Sequence, residues 1–206
     1  MSVWGGAPLV RPFIARTDCE PLPGMEDVIV RDGRVAYPDE APADRDACGV
    51  LWIRQVHAPD QGVPLYGKIH SARQRHAVLH LLCQICAQEP DENPDGVLWL
   101  LPTVPGRPPE DDGNGIITTY PPVCRPCSRL ALRQCPPLRR GHALLRVRDV
   151  QAHGVHGAAF TLTASRAVYH EAVEHAYGDP ALAKVVAVQQ LLRLTDYQAA
   201  GDTEPQ

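Results

Sequence analysis

Apolar and polar residues alternate clearly in only a few stretches of this chain. Val28-Ile29-Val30 and Val35-Ala36-Tyr37 flank Asp32-Gly33, a dipeptide that tolerates positive φ, and predict a β-hairpin over 28–37. Gly49-Val50-Leu51-Trp52-Ile53 and Gly96-Val97-Leu98-Trp99-Leu100 are near copies, which suggests two strands in equivalent positions of one sheet. The flanking sequence does not repeat, so no duplicated domain is predicted. Ser71-Ala72-Arg73-Gln74 has the form of a capping box and predicts a helix over about 72–82. A shorter helix is expected to start at Pro126 and Cys127 and run from Ser128 to about Gln134, ended by Pro136-Pro137. Further on, 142–148 and 158–162 predict a second hairpin turning near Gly154 or Gly157, and Ala167-Val168-Tyr169 begins a further strand. Asp179-Pro180 reads as the start of a last helix through about Leu194, with Val185, Val188 and Leu192 facing inward and Lys184, Gln190 and Arg193 outward.

These elements predict an α+β fold of small antiparallel hairpins and short helices. Residues 1–70 hold a Pro- and Gly-rich arm, anchored through Leu9-Val10 and Phe13-Ile14, and the first hairpin. Residues 71–140 form a central core, 141–198 a hairpin and C-terminal helix packed on it, and 199–206 a disordered tail. A chain of 206 residues buries a real core. It has no apolar run of about 18 residues and no basic-then-apolar leader, so a soluble, cytoplasmic protein without a membrane partner is expected.

The candidate chemistry centres on Cys83-Gln84-Ile85-Cys86 and Cys124-Arg125-Pro126-Cys127. Each pair offers two sulfurs from a tight knuckle, and two pairs complete a tetrahedral shell, so one structural zinc ion is expected at Cys83, Cys86, Cys124 and Cys127. Their 37-residue spacer, 87–123, exceeds the zinc-ribbon spacing and must hold a hairpin or loop insertion. It carries seven acidic residues, one arginine and no histidine, its acids read as solvated loop residues. Cys19, Cys48 and Cys135 are left over and are expected to be buried small hydrophobes. His76 and His80, four apart on the first helix, either line a polar face or hold a second metal.

Residues 73–135 resemble the zinc-stapled treble-clef core of HNH-type endonucleases, in which a CxxC pair, a hairpin and a second CxxC opening a helix support a catalytic metal. The overall pattern also resembles small actinobacterial proteins with a central zinc knuckle. The match is to the structural cysteines. Leu98-Trp99 stands where that family has Asp-His, and Ser128 follows the second pair, so the resemblance implies the zinc core without nuclease activity.

Charge separates the remaining functional readings. The net charge is −4, yet 125–148 holds seven arginines and no acid, leaving 13 basic against 24 acidic groups elsewhere. Arg125, Arg129, Arg133, Arg139 and Arg140 are therefore candidates for contacting nucleic acid or another phosphate-bearing ligand, unless they pair with the acidic loops or the zinc thiolates. A protein-interaction scaffold with a zinc rivet is the second reading. The third is an enzyme using His153, His156, His170, Glu171 or His175, although no phosphate loop, dinucleotide fingerprint, nucleophile elbow or HExxH is present.

Overall fold

The computed structural model describes residues 10–22, 27–163 and 166–201, and the backbone of a two-stranded ribbon, β1 (Val3–Trp4) with β2 (Ala7–Pro8). The anchor expected at Leu9 and most of the expected tail, 202–206, lie outside the described residues. The fold is mixed α+β, built on a curled sheet.

Small ribbons lead into it. β3 (Ala15–Thr17) pairs with β7 (Pro64–Ile69), and β4 (Ile29–Arg31) pairs with β5 (Arg34–Ala36) through Asp32 and Gly33, both at positive φ as the hairpin reading requires. Between these ribbons lies β6 (Leu51–Trp52), and α1 (Ser71–Leu79) follows β7. The chain continues through β8 (Glu92–Asn93), β9 (Gly96–Pro102), β10 (Ile116–Thr118), α2 (Arg125–Gln134) and α3 (Pro136–Arg140). Three long strands complete it: β11 (His142–Leu162), β12 (Ala167–Ala176) and β13 (Val185–Ala199).

β11 and β13 form the antiparallel spine, in register from Leu145↔Ala199 to Ala159↔Val185. The other edge of β11 is taken by β9 at one end and by β12 at the other. The other edge of β13 is taken by β10 and, in parallel, by β6. Strands from 1–70, 71–140 and 141–198 thus join one sheet. The two tryptophan strands both belong to it but are not equivalent, since β9 pairs antiparallel with β11 and β6 parallel with β13.

The expected hairpin within 142–163 is instead one 21-residue strand, and the chain returns antiparallel to it only as β12, from Ala167. A straight strand of that length would span about 70 Å, against about 45 Å across a compact chain of this size, so it must bend. The ladder with β13 shifts register beside Gly154 and Gly157. A Cβ at Gly154 would lie 2.0 Å from the His175 carbonyl oxygen, and one at Gly157 2.4 Å from that of Val186. These glycines mark bulges and close backbone approach rather than a turn.

The expected C-terminal helix is also absent. The Asp179 side chain caps as anticipated, accepting the Ala181 N–H at 2.8 Å, but the helix it starts is a single 3-10 stretch, Pro180–Lys184. Beyond it the β-branched run Val185-Val186 enters the sheet, where ladder bonds and burial on both faces outweigh the weak helical pattern. Gln190, expected to face outward, is buried.

α1 begins where expected, but its N-cap is His70, whose Nδ1 accepts the Arg73 N–H at 3.4 Å. Gln74 is thereby released from the expected capping box. Its amide spans the gap between β6 and β10 on the edge of β13: Nε2 donates to the carbonyls of Thr119 (2.6 Å) and Gln190 (3.0 Å), and Oε1 accepts the Gln190 N–H (3.0 Å). β9 is buried on both faces, with Val97, Trp99 and Leu101 in one core cluster and Leu98 and Leu100 in another.

Because buried Gln74 satisfies three backbone groups, two of them buried, Gln74→Leu should lower unfolding stability by about 3 kcal/mol through their loss of partners. Urea denaturation checks this, and an unchanged midpoint would show that the β13 edge needs no amide there.

Candidate metal centre

The helical run of α1 leads directly to the first cysteine pair. After Leu81, at φ 49, the chain folds into a knuckle in which Cys83 N–H donates to the Gln88 carbonyl at 2.8 Å and Ala87 N–H to that of Cys83 at 2.9 Å. The second pair opens α2, close to the expected start at Pro126-Cys127: Cys124 is the N-cap, and its carbonyl accepts the Ser128 N–H at 2.9 Å. Gln84 stitches the knuckles together, its backbone N–H donating to the Pro122 carbonyl (2.9 Å) and its Nε2 to that of Pro121 (3.1 Å).

This brings the sulfurs of Cys83, Cys86, Cys124 and Cys127 to 3.4–4.0 Å from one another. A tetrahedron of sulfurs at about 2.3 Å from a metal has edges of about 3.8 Å. Cys86 and Cys124 are separated by 3.8 Å. The four cysteines could therefore hold one metal ion. Cys83 is buried, Cys124 and Cys127 are half-buried and Cys86 is exposed. Burial opposes ionisation of Cys86, but the Gln88 backbone N–H and the thiols of Cys83, Cys127 and Cys124 outweigh it and hold Cys86 below the usual thiol value. Burial pushes Cys124 up to about 11 against the Cys127 N–H, and burial with the neighbouring thiols pushes Cys127 up as well. A bound cation would reverse this preference for the neutral thiol and release protons on binding.

The cluster is set in packed structure. Ile85, Leu98, Leu100, Val123, Ala131 and Leu144 surround Cys83, and half-buried Val10 packs against them. Phe13 N–H donates to the Ile85 carbonyl (2.9 Å) and Ile14 N–H to that of Gln84 (3.2 Å), so the N-terminal arm is pinned to the first knuckle, with Ile14 buried as anticipated.

In a second group of potential ligands, Glu20, His57 and His70, the two buried members Glu20 and His70 are already committed to other bonds. The Arg73 guanidinium donates to both Glu20 oxygens (2.5 and 2.7 Å), which also accept the N–H groups of Thr17 (2.9 Å) and Ala58 (2.8 Å). His70 Nε2 lies 3.0 Å from the Val56 carbonyl and must carry the proton there, while Nδ1 accepts from Arg73. Glu20, His70 and Arg73 are all buried. Burial works to raise the Glu20 carboxyl, but Arg73 and the two backbone N–H groups overcome it and hold it well below the usual carboxylate range. This is a structural clamp. Residue spacing gives no hint of it, because its members lie 53 residues apart.

The arginines divide into two groups. Arg125 is buried, donating to the Gly201 carbonyl (3.1 Å) with Asp91 at 3.8 Å, which corrects its reading as a surface contact. Arg146 is also buried and pairs with the same Asp91, and Arg148 reaches Asp95 (3.2 Å) and Asp196 (3.3 Å). Asp91 and Asp95, read as solvated loop acids, are thus partners for this segment. Arg129, Arg133, Arg139 and Arg140 are exposed and have no ion pair among the described residues. A shallow cleft of about 250 Å³ lies along α2, lined by Arg125, Ser128, Arg129, Leu132, Arg133 and Leu144.

The remaining candidates do not converge. The His76 and His80 rings meet at a tilt of 52° with centroids 4.5 Å apart, and no third ligand joins them among the described residues. His153, His156, His170, Glu171 and His175 are spread along β11 and β12, His156 being 3.6 Å from Glu174 and His175 2.7 Å from Asp179. Cys19 and Cys48 are exposed and Cys135 is half-buried, contrary to the expectation of three core cysteines. Cys48 belongs to a turn held by Asp46, which accepts its N–H at 2.9 Å. No helix among the described residues is long and apolar enough to cross a membrane. In comparisons with protein-family models, curated proteins and solved structures, none matches the chain.

Cys124→Ser should remove metal binding and cost several kcal/mol of stability, since metal affinity would contribute to folding. Metal analysis of wild type should find about one equivalent, and chelation should lower its melting temperature. A metal-free wild type of the same stability would exclude the site. Because the folded pKa of Glu20 is depressed, its stabilisation is complete above the unfolded value and is lost as pH falls below about 4.5 towards the folded one. Glu20→Gln should therefore be destabilised at neutral pH and lose less further stability on acidification than wild type, as read from denaturation midpoints across pH.

Proposed function

We propose that this is a zinc-stabilised protein that binds nucleic acid or another phosphate-bearing ligand and has no nuclease activity. The observation that carries the reading is the unpaired arginine surface of α2 and α3. Within a segment whose other arginines are consumed by Asp91, Asp95, Asp196 and backbone carbonyls, Arg129, Arg133, Arg139 and Arg140 are left exposed. Arg129 and Arg133 stand four apart on one helix, where like charges repel by a few tenths of a kcal/mol. That repulsion falls when phosphates lie between them, and the α2 cleft adds the apolar walls of Leu132 and Leu144 beside the guanidinium groups.

Zinc fits the four-sulfur donor set, and a shell closed by four protein ligands leaves no position for reacting water. The order of knuckle, β8–β9 hairpin and knuckle at a helix start supports a treble-clef-like reading of the centre. The hairpin carries no histidine to activate water, which favours binding without cleavage.

Binding to duplex DNA or a single-stranded oligonucleotide should weaken linearly in log K with log salt, and Arg129→Ala or Arg139→Ala should each reduce the duplex slope by about one unit. Both variants should melt like wild type. No wild-type binding at about 50 mM salt, where phosphate attraction is only weakly screened, would reject this reading in favour of a protein-interaction role.

A further inference from the structure

β12 pairs with β11 along one edge, and no strand covers its other edge among the described residues. Its residues 168–172 are all exposed, Val168 and Tyr169 by 51% and 53%. Lysine and proline, two residues that commonly blunt such edges, are absent from β12, and its one bulge lies at His170 near the start of the strand. We propose that this edge is a self-association surface, on which a second copy of the chain adds its own β12 antiparallel about a two-fold axis at Val173.

The register follows from the geometry of the ladder. Successive residues of a strand point their N–H and C=O groups alternately to its two sides, and facing residues in an antiparallel pair both point inward or both outward. Two identical strands related by a two-fold axis can therefore face residue i with residue i′ only when both positions are odd or both even. His170-Glu171-Ala172-Val173-Glu174-His175 is nearly palindromic. The forbidden register, centred between Ala172 and Val173, would set His170 against His175 and Glu171 against Glu174. Of the permitted registers, the two flanking that midpoint, centred on Ala172 and on Val173, set histidine against glutamate.

A bulge selects between these two registers. Ala159 faces Glu171 and Phe160 faces Tyr169, so His170 is the extra residue and the regular ladder of β12 begins at Glu171. Centring on Ala172 would require His170 itself to pair. Centring on Val173 uses only regular positions: Val173 faces Val173, and on either side Glu171 of one copy faces His175 of the other, within reach of a cross-strand pair. In each copy His175 Nδ1 already contacts Asp179 at 2.7 Å, which fixes the ring and leaves Nε2 for the incoming Glu171. A ladder this short is at the small end of specific interfaces, so the dimer should be weak and concentration-dependent.

Sedimentation of the full wild-type chain between about 1 μM and 1 mM, the span expected of a small interface, should show a monomer–dimer equilibrium. Glu171→Arg sets a guanidinium against His175, and His175→Glu sets a second carboxylate against Glu171, so each variant alone should dimerise at least tenfold more weakly than wild type. Mixed together, the two should recover wild-type association, because the introduced arginine then faces the introduced glutamate and the native Glu171–His175 pair forms once. Variants that dimerise like wild type when alone, or a mixture that fails to recover, would overturn the assignment. A wild type that stays monomeric throughout would also overturn it, without depending on either variant folding, and would leave the edge to an extended segment of another protein.

Discussion

The antiparallel ladder between β11 and β13 is the constraint on which the rest of the structure depends, because every other strand of the sheet attaches to one of its two outer edges except β8, which pairs with β9. Only a strand that bends can serve both ends of a compact molecule, and β11 bends where Gly154 and Gly157 let neighbouring backbone come close. At one end the ladder receives β9, whose two faces are buried beneath different clusters, one of which contains Cys83 with Cys124 and Cys127 packed against it. At the other end it receives β12, most of whose side chains are exposed.

Polar side chains complete what the strands leave open. Gln74 fills the interval between β6 and β10, giving the Gln190 backbone both a donor and an acceptor where no strand reaches. Arg73, its neighbour on α1, turns the other way to hold Glu20 and the carbonyls of Phe13 and Ala15. One helix therefore ties the sheet to the N-terminal arm, and the arm in turn bonds to the first cysteine knuckle. Buried groups of this kind tolerate little change, because removing one member leaves the others desolvated without a partner.

The arginine segment shows how one composition can serve two purposes. Its buried members neutralise an acid of the 87–123 spacer and hold that excursion against β11, while its exposed members on α2 and α3 have no ion pair among the described residues. Cys124, at the cysteine cluster, caps the helix that carries buried Arg125 in its first turn and exposed Arg129 and Arg133 further along.

Local features were legible in the sequence wherever neighbouring residues alone decide the conformation. The Asp32-Gly33 turn, the helix leading towards Cys83, the paired cysteines and the α+β class belong to this group, since each follows from φ preference, periodicity or ligand spacing over a few residues. Tertiary structure decided the rest. Gly154 and Gly157 look like turn residues until β12 and β13 press against them, and 185–194 is as compatible with a helix as with a strand until β11 supplies a ladder. Gln74 is a plausible capping residue until the His70 ring takes the cap and the Gln190 backbone needs an amide. Which arginines face solvent depended on where Asp91 and Asp95 fell in space, more than 50 residues from their partners Arg146 and Arg148. Backbone preference acts between neighbours, whereas burial and ion pairing are settled only by which distant segments meet.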